Sequence, residues 1–319
     1  MLYKLRGQNL VKDINDNEYI KKLIHSMINK NRIPHFIIIS GQKGLGKLTL
    51  AKELAVAVAY KDIDINDRNI ENCVDITIIN DIKKNNILID DIRKIKQSVN
   101  IAPCEGHMKV YIISSAEKMT HQAQNALLKS LEEPSETTMF ILTVNNLNYL
   151  LPTLISRSVM IYMNEMAKTS CIQILSEKYP NERYQKIEKY VDILGCNVGL
   201  CQEVLQFTPN KDILEICENI LSKIFNNNEY EVMKFISQYE DDKDRFIFFL
   251  KIFKKYIIKI LNLSSIDTKT ISSYELNKGV KICDLIQQVE GYISSNVGLK
   301  LSIAYFCSNL FNDYRKPKR

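Results

Sequence analysis

The sequence predicts an α/β domain with a mainly parallel sheet, followed by a small helical lid and an all-α C-terminal domain. Two observations support this order. Short apolar runs alternate with helix-like segments over the first half of the 319-residue chain, which is typical of a parallel sheet covered by helices. From Pro209 onward, apolar residues recur only at helical spacing. We therefore expect three domains, at residues 1–165, 166–208 and 209–319.

The strands of the α/β domain are expected where apolar runs are bounded by polar residues: Phe36–Ser40, Val74–Ile79, Val110–Ile113, Phe140–Val144 and Val159–Tyr162. The helices expected between them cover residues 18–30, 47–59, 89–99 and 120–132. Short buried strands that alternate with helices indicate a mainly parallel sheet.

The remainder of the chain is expected to be helical. Residues 166–208 contain no convincing strand and are interrupted at Pro180 and Gly195, which predicts a few short helices. Further on, apolar residues continue at helical spacing: Ile213, Ile216, Ile220, Leu221 and Ile224, then Phe246, Phe249, Leu250 and Phe253. Such wide apolar faces predict a helical bundle or a partner interface.

Composition excludes several classes of protein. The net charge of +6 is mildly basic, without the concentrated basic surface of a protein that binds DNA by itself. The chain has no run of about 18 apolar residues, as a membrane span would need, and its polar start does not resemble a signal peptide. We therefore expect a cytoplasmic protein with no membrane partner.

Cysteine and histidine spacing argues against a metal site. The eight cysteines include no CxxC pair, and the four histidines do not lie at metal-ligand spacing. Disulfides are not expected in the cytoplasm. We therefore predict neither a metal site nor a disulfide framework.

A glycine-rich loop follows the first expected strand and matches the phosphate-binding pattern G-x-x-x-x-G-K. In such a loop, glycines (here Gly41, Gly44 and Gly46) let backbone N–H groups wrap phosphates, and the lysine (here Lys47) reaches the terminal phosphates. The next helix adds the dipole of its N-terminus. The pattern therefore predicts that this segment derives from a phosphate-binding loop.

The residues that hydrolysis needs around this loop are missing. The loop lysine should be followed by Ser or Thr, whose hydroxyl binds Mg²⁺, but the chain has Leu48. Thr49 comes one residue later, about 100° around the helix, so we expect it to face away from the metal. At the end of the 110–113 strand, an ATPase of this architecture has Asp and Glu, where this chain has Ser114 and Ser115.

These three replacements predict that the site does not hydrolyse ATP. Glu117 lies beyond the strand and is expected to be a surface or capping carboxylate. We expect no bound cofactor. Binding of ATP or phosphate through Gly41, Gly44, Gly46, Lys47 and Thr49 remains the less favoured alternative.

Several segments resemble bacterial clamp-loader subunits, which belong to the AAA+ clamp-loader family. Lys118–Pro134, which contains Asn-Ala-Leu-Leu-Lys-Ser-Leu-Glu-Glu-Pro, is similar to the central helix of that family. Further similar segments are Asp91–Arg93, Gly106–Ile113, Phe140–Thr143 and, near the C-terminus, Asn296–Leu301. The resemblance is dense over residues 33–162. It implies an AAA+-type P-loop domain and a C-terminal collar domain that mediates oligomerisation.

One more motif bears on function. The triplet Ser156-Arg157-Ser158 resembles the family's Ser-Arg-Cys motif, whose arginine reaches into the ATP site of the neighbouring subunit. Ser158 replaces the cysteine, while Arg157 is kept. The resemblance thus implies a catalytic role in trans for Arg157, flanked by Ser156 and Ser158.

The chain lacks the residues that hold Mg²⁺ and activate water, but it keeps the arginine. In this combination it resembles the non-hydrolysing stator subunit of DNA polymerase III clamp loaders. The resemblance implies partnership with motor ATPase subunits and with the clamp-opening subunit, and action on a sliding clamp and primed DNA. The family's four-cysteine zinc module is reduced to Cys73, so no zinc is expected and residues 60–88 should form a short loop and strand. Two alternatives stay open: an ATP-binding or hydrolysing motor subunit, and a stand-alone DNA-binding protein.

Overall fold

The computed structural model describes residues 18–29, 32–60, 70, 73–79, 86–207, 213–266 and 273–311. The chain divides into two compact units, residues 1–181 with 196–200 and residues 182–195 with 201–319. Residues 166–208, predicted as a separate lid, contribute to both units. The three-domain division remains a prediction.

The first unit is a parallel sheet covered by helices. Its strands are β1 (Phe36–Ser40), β2 (Ile76–Ile79), β3 (Lys109–Ile113), β4 (Thr138–Val144) and β5 (Val159–Tyr162). Its helices are α1 (Glu18–Asn29), α2 (Lys47–Ala59), α3 (Ile89–Val99), α4 (His121–Glu132), α5 (Pro152–Ile155) and α6 (Lys168–Lys178). The sheet order is β2-β3-β4-β1-β5, and all four pairings are parallel. The predicted parallel α/β fold is confirmed.

Helices on both faces bury the centre of this sheet. Alternate side chains of β1 enter different cores: Ile37 and Ile39 pack in the cluster with α1 and α2, whereas Ile38 packs in the cluster with α3 and α4. All three are fully buried. Because successive side chains of a strand point to opposite faces, a strand covered on both sides is apolar on both faces, as β1 is from Phe36 to Ile39.

The second strand begins at Ile76, two residues later than expected, because the residues before it form a turn. The buried Asp75 carboxylate in this turn accepts hydrogen bonds of 2.6–2.8 Å from three consecutive backbone N–H groups, those of Cys104, Glu105 and Gly106. Burial by itself raises the pKa of Asp75, but these hydrogen bonds and Lys109 hold it below the ordinary 3.8. Asp75 thereby anchors the segment that leads into β3. Part of the 60–88 segment lies outside the described residues.

The second unit is helical, as predicted. It contains α7 (Tyr184–Leu194), α9 (Ile213–Phe225), α10 (Glu229–Ile236), α11 (Lys243–Ile266), α12 (Ser273–Ser294) and α13 (Leu299–Leu310). Helix α8 (Val198–Phe207) begins in the first unit and continues in the second. Aromatic rings fill part of the core, where Phe249 stacks on Tyr239 (5.4 Å) and on Phe253 (5.5 Å). Within the described parts of the chain, no helix is long and apolar enough to cross a bilayer.

Candidate functional site: the phosphate loop and the exposed arginine

The phosphate loop joins β1 to α2 and needs glycine at each predicted position. Gly44 (φ +94°) and Gly46 (φ +83°) adopt the left-handed backbone that favours glycine. A Cβ on Gly41 would lie 2.7 Å from the carbonyl oxygen of Met163, and one on Gly44 would lie 2.2 Å from Oδ1 of Asn197. The sequence pattern therefore folds into the loop geometry that it predicts.

Lys47 is the first residue of α2, and only 8% of its surface is exposed. Its ammonium donates hydrogen bonds to three oxygens: the carbonyls of Gly41 (2.7 Å) and Gln42 (2.6 Å), and Oδ1 of Asn145 (2.8 Å). Burial lowers the pKa of Lys47 from 10.5 to about 8, and the charge of Glu117 opposes that shift. The side chain is therefore mainly an ammonium at neutral pH.

Asn145 and Glu117 also belong to the site, and the sequence pattern predicted neither role. Asn145 directly follows β4, and Glu117 lies in a 3-10 helix, Ala116–Lys118, just after β3. The Glu117 carboxylate accepts hydrogen bonds from the backbone N–H of Asn145 (3.2 Å) and from its Nδ2. Instead of capping a helix, Glu117 holds the side chain that contacts the loop lysine. Strand order explains the meeting, because β3, β4 and β1 are neighbours whose carboxyl ends share one edge.

The positions that bind Mg²⁺ in an active phosphate-loop ATPase are occupied here by residues without carboxylates. Leu48 is half-buried and packs against the hydrophobic core, and Thr49 is exposed. Ser114 is buried. Ser115 adopts a left-handed backbone (φ +56°), and its N–H donates to Oγ1 of Thr143 (3.1 Å). Since neither serine offers a carboxylate, these residues do not fit the Mg²⁺–nucleotide that this class of loop holds.

The outer side of the loop is tied to the segment that opens α8. Asn197 is 3% exposed, and its Nδ2 donates to the carbonyl of Lys43 (2.8 Å). The N–H of Gly199 donates to the carbonyl of Gly44 (2.9 Å). A Cβ on Gly199 would lie 2.5 Å from Cα of Gly44, so the close approach requires glycine. Four consecutive loop carbonyls, those of residues 41–44, are thus satisfied within the protein.

Arg157 lies in the turn between α5 and β5. Its Nη1 donates to the carbonyl of Thr153 (3.2 Å), and its Nη2 forms an ion pair with Oε1 of Glu132 (3.3 Å). The arginine side chain is 41% exposed and that of Glu132 is 53% exposed. The guanidinium is therefore at the surface, with two local contacts.

The flanking serines shape this turn. The hydroxyl of Ser156 donates to the carbonyl of Thr153 (3.2 Å), and that of Ser158 donates to the carbonyl of Ile155 (2.8 Å). Hydroxyl-to-carbonyl bonds of this kind stabilise a local turn. They indicate that Ser156 and Ser158 support the backbone that presents Arg157.

The sheet separates Arg157 from the phosphate loop of its own chain. Val159, at the start of β5, pairs with Ile37, four residues before Gly41. At about 3.3 Å per residue, that is roughly 13 Å along the strand. The arginine precedes β5 at the amino edge of the sheet, whereas the loop follows β1 at the carboxyl edge. The structure therefore brings the loop residues together but not Arg157.

A glycine-rich loop between a central parallel strand and its following helix defines a P-loop domain. Residues 16–167 match the family described as "DNA polymerase III, delta subunit". The matched residues are just under half of the chain, and over them the sequence is similar to that family.

The chain is similar to curated DNA polymerase III subunits. It is 31% identical over 182 residues to subunit gamma/tau of Mycoplasma genitalium, a match that covers 54% of this chain and 30% of that protein. It is 32% identical over 148 residues to subunit delta' of Bacillus subtilis, covering 43% of this chain and 44% of that protein. The chain thus spans less than half the length of either relative.

Among solved structures, a gamma subunit-related protein of DNA polymerase III from Thermotoga maritima superposes with a TM-score of 0.55. The two chains are 22% identical, and the match covers 92% of this chain and 99% of the other. At this identity, the comparison shows a shared fold.

Proposed function

We propose that this chain is the ATPase-inactive stator subunit of a replicative clamp loader and that it donates Arg157 to the ATP site of a neighbouring motor subunit. The observation that carries the proposal is the position of Arg157. The side chain is exposed at the edge of the sheet opposite to its own phosphate loop. An arginine there serves a site on another chain more readily than the site on its own.

The local contacts of Arg157 allow it to leave its present position. Its ion pair with Glu132 is exposed on both sides, and pairs of this kind contribute about 0–1 kcal/mol. The planar guanidinium matches the geometry of phosphate oxygens. A neighbouring nucleotide would therefore compete successfully for this side chain.

The same proposal assigns no hydrolysis to this chain's own loop. Leu48 offers no oxygen to Mg²⁺, because its side chain is a hydrocarbon, and that side chain packs against the core. Ser114 and Ser115 have neither the charge to hold the ion nor the basicity to activate water. Catalysis in the complex is then supplied by the motor subunits, with this chain as a partner.

The other partners follow from the proposed role. We expect the chain to assemble with motor ATPase subunits and with the clamp-opening subunit, in a hetero-oligomer that acts on the sliding clamp and primed DNA. The role matches that of a delta prime subunit, and the similarity to delta' of Bacillus subtilis supports it.

A motor subunit is the second candidate, because the chain is also similar to gamma/tau subunits. An ATPase assay on the purified chain separates the two functions. The stator role predicts no hydrolysis above background. Turnover that disappears in Lys47→Ala would instead establish a motor subunit.

An arginine that reaches into a neighbouring ATP site is called an arginine finger. This proposed role of Arg157 is tested in the assembled loader. Arg157→Ala should leave the chain folded and incorporated, yet slow clamp-stimulated hydrolysis at the one site that it serves. Fingers of GTPases are worth about 10³–10⁵ in rate, so we expect at least a roughly tenfold loss there. Arg245→Ala is the matched control, because Arg245 is also an exposed arginine with a surface ion pair, to Asp242. Equal rates in the two variants would contradict the proposal.

A further inference from the structure

Lys47 uses its three ammonium donors inside the protein. We propose that Asn145, held by the carboxylate of Glu117, occupies the place on Lys47 that a nucleotide phosphate takes in an active phosphate loop. The pair thus acts as an internal ligand that keeps the loop closed and excludes polyphosphate. This inference deepens the proposed function of the same site, and it rests on that loop hydrolysing no ATP.

The donor count is the first observation. A lysine ammonium has three N–H donors. Two of them are taken by the loop's own carbonyls, those of Gly41 and Gln42, and the third is taken by Oδ1 of Asn145. A phosphate oxygen can therefore bind Lys47 only by displacing one of these partners. Asn145 is the partner from outside the loop.

The orientation of Asn145 is the second observation. Its Nδ2 and its backbone N–H both donate to the Glu117 carboxylate. An amide that presents its nitrogen to a carboxylate presents its oxygen elsewhere, and here that oxygen faces Lys47. Glu117 is thus a positioning residue that aims the amide oxygen at the ammonium.

Charge is the third observation. The negative charge of Glu117 acts on Lys47, since it opposes the effect of burial on the lysine. A polyphosphate at Lys47 would meet this carboxylate nearby, and like charges repel. The Glu117 carboxylate therefore holds Asn145 in place and also disfavours the binding of an anionic ligand at Lys47.

Hydrogen bonds on the outer side of the loop are the fourth observation. Asn197 and Gly199 bind the carbonyls of Lys43 and Gly44. The loop is therefore held from both sides by groups of the protein itself. It needs no ligand to keep its shape.

The probe is inorganic pyrophosphate without metal, titrated calorimetrically into the purified full chain. We expect weak binding to the native protein and about tenfold or greater affinity in Asn145→Ala, because one hydrogen bond to a charged donor has been released. The gain should disappear in Asn145→Ala/Lys47→Ala. Asn146→Ala is the control, since this neighbouring asparagine accepts from the N–H of Asn148 and does not contact the lysine; it should bind as weakly as the native protein.

A second variant covers the case in which Asn145→Ala does not fold. Glu117→Gln removes the charge while keeping the shape of the side chain, and it should raise pyrophosphate affinity by a smaller factor, about threefold to tenfold. Affinity equal to that of the native protein in both folded variants, or a gain that persists without Lys47, would overturn the inference. Neither result affects the proposed function. That function fails instead if the native chain hydrolyses ATP.

Discussion

The Asp75 carboxylate should be worth several kilocalories per mole to the first unit. Asp75→Asn keeps the size of the side chain but replaces one acceptor oxygen with an NH₂ group. Both oxygens of Asp75 accept hydrogen bonds from backbone N–H groups, so the NH₂ group of asparagine would face a donor. At least one hydrogen bond is therefore lost and another is weakened. Hydrogen bonds to charged groups contribute about 1.5–3 kcal/mol each. We expect a loss of about 3 kcal/mol.

Thermal and urea unfolding followed by circular dichroism measure this loss. For a unit of this size, about 3 kcal/mol corresponds to a fall in Tm of roughly 6–12 °C. Asp90→Asn is the matched control. The Asp90 side chain is 73% exposed, and among the described residues its ion-pair partner is Arg93. Its loss should stay below about 1 kcal/mol.

The pH dependence gives a second check on Asp75. Its pKa in the folded protein is below the ordinary 3.8, so the unfolded chain binds a proton more readily. The stabilisation is therefore complete at pH values above about 4 and is lost as the pH falls through the folded pKa. The gap between the native protein and Asp75→Asn should shrink with acid. A gap no larger than that of Asp90→Asn at pH 7 would refute the reasoning.

Two further predictions concern metal content and the helical unit. Metal analysis should find no stoichiometric zinc, because residues 60–88 carry only Cys73, which is buried in the hydrophobic core; one zinc per chain would contradict the spacing argument. Gly291→Ala should raise the free energy of unfolding by about 0.5–1 kcal/mol, since alanine favours a helix interior. An added Cβ there meets no atom within 4 Å. A lower urea midpoint in that variant would refute the packing argument.

Much of the fold could be predicted because its signals are local. The first and last strands, β1 and β5, lie where their apolar runs predicted them, and α2 begins at the loop lysine. The fourth strand begins two residues earlier than expected, at Thr138, which is polar in sequence but 1% exposed. Its hydroxyl donates to the carbonyl of Val99. A buried polar residue with a distant partner looks like a loop residue until that partner is known.

The internal ligand of the loop could not be predicted in the same way. Asn145 and Glu117 are 28 residues apart, and they meet only because β3 and β4 are neighbours in the sheet. Asn197 reaches the loop across 154 residues. Such contacts depend on strand order and on the path of the chain after the sheet. The pattern G-x-x-x-x-G-K predicts neither of them.

The position of Arg157 also required the topology. The motif Ser156-Arg157-Ser158 predicted a finger, but only the parallel pairing of β1 with β5 places it at the edge opposite to the loop. Helix α4 runs back across the sheet, and its last residue, Glu132, meets the arginine there. The proposed role of Arg157 in trans depends on this separation.

The most direct measurement is single-turnover ATP hydrolysis by the neighbouring motor subunit, in loaders assembled with native chain, Arg157→Lys or Arg157→Ala. We predict a large loss with alanine and poor rescue with lysine, because an ammonium cannot reproduce the two-pronged contact of a guanidinium with phosphate oxygens. Both variants should assemble as the native chain does. Hydrolysis at the native rate in a correctly assembled Arg157→Ala loader would contradict the account.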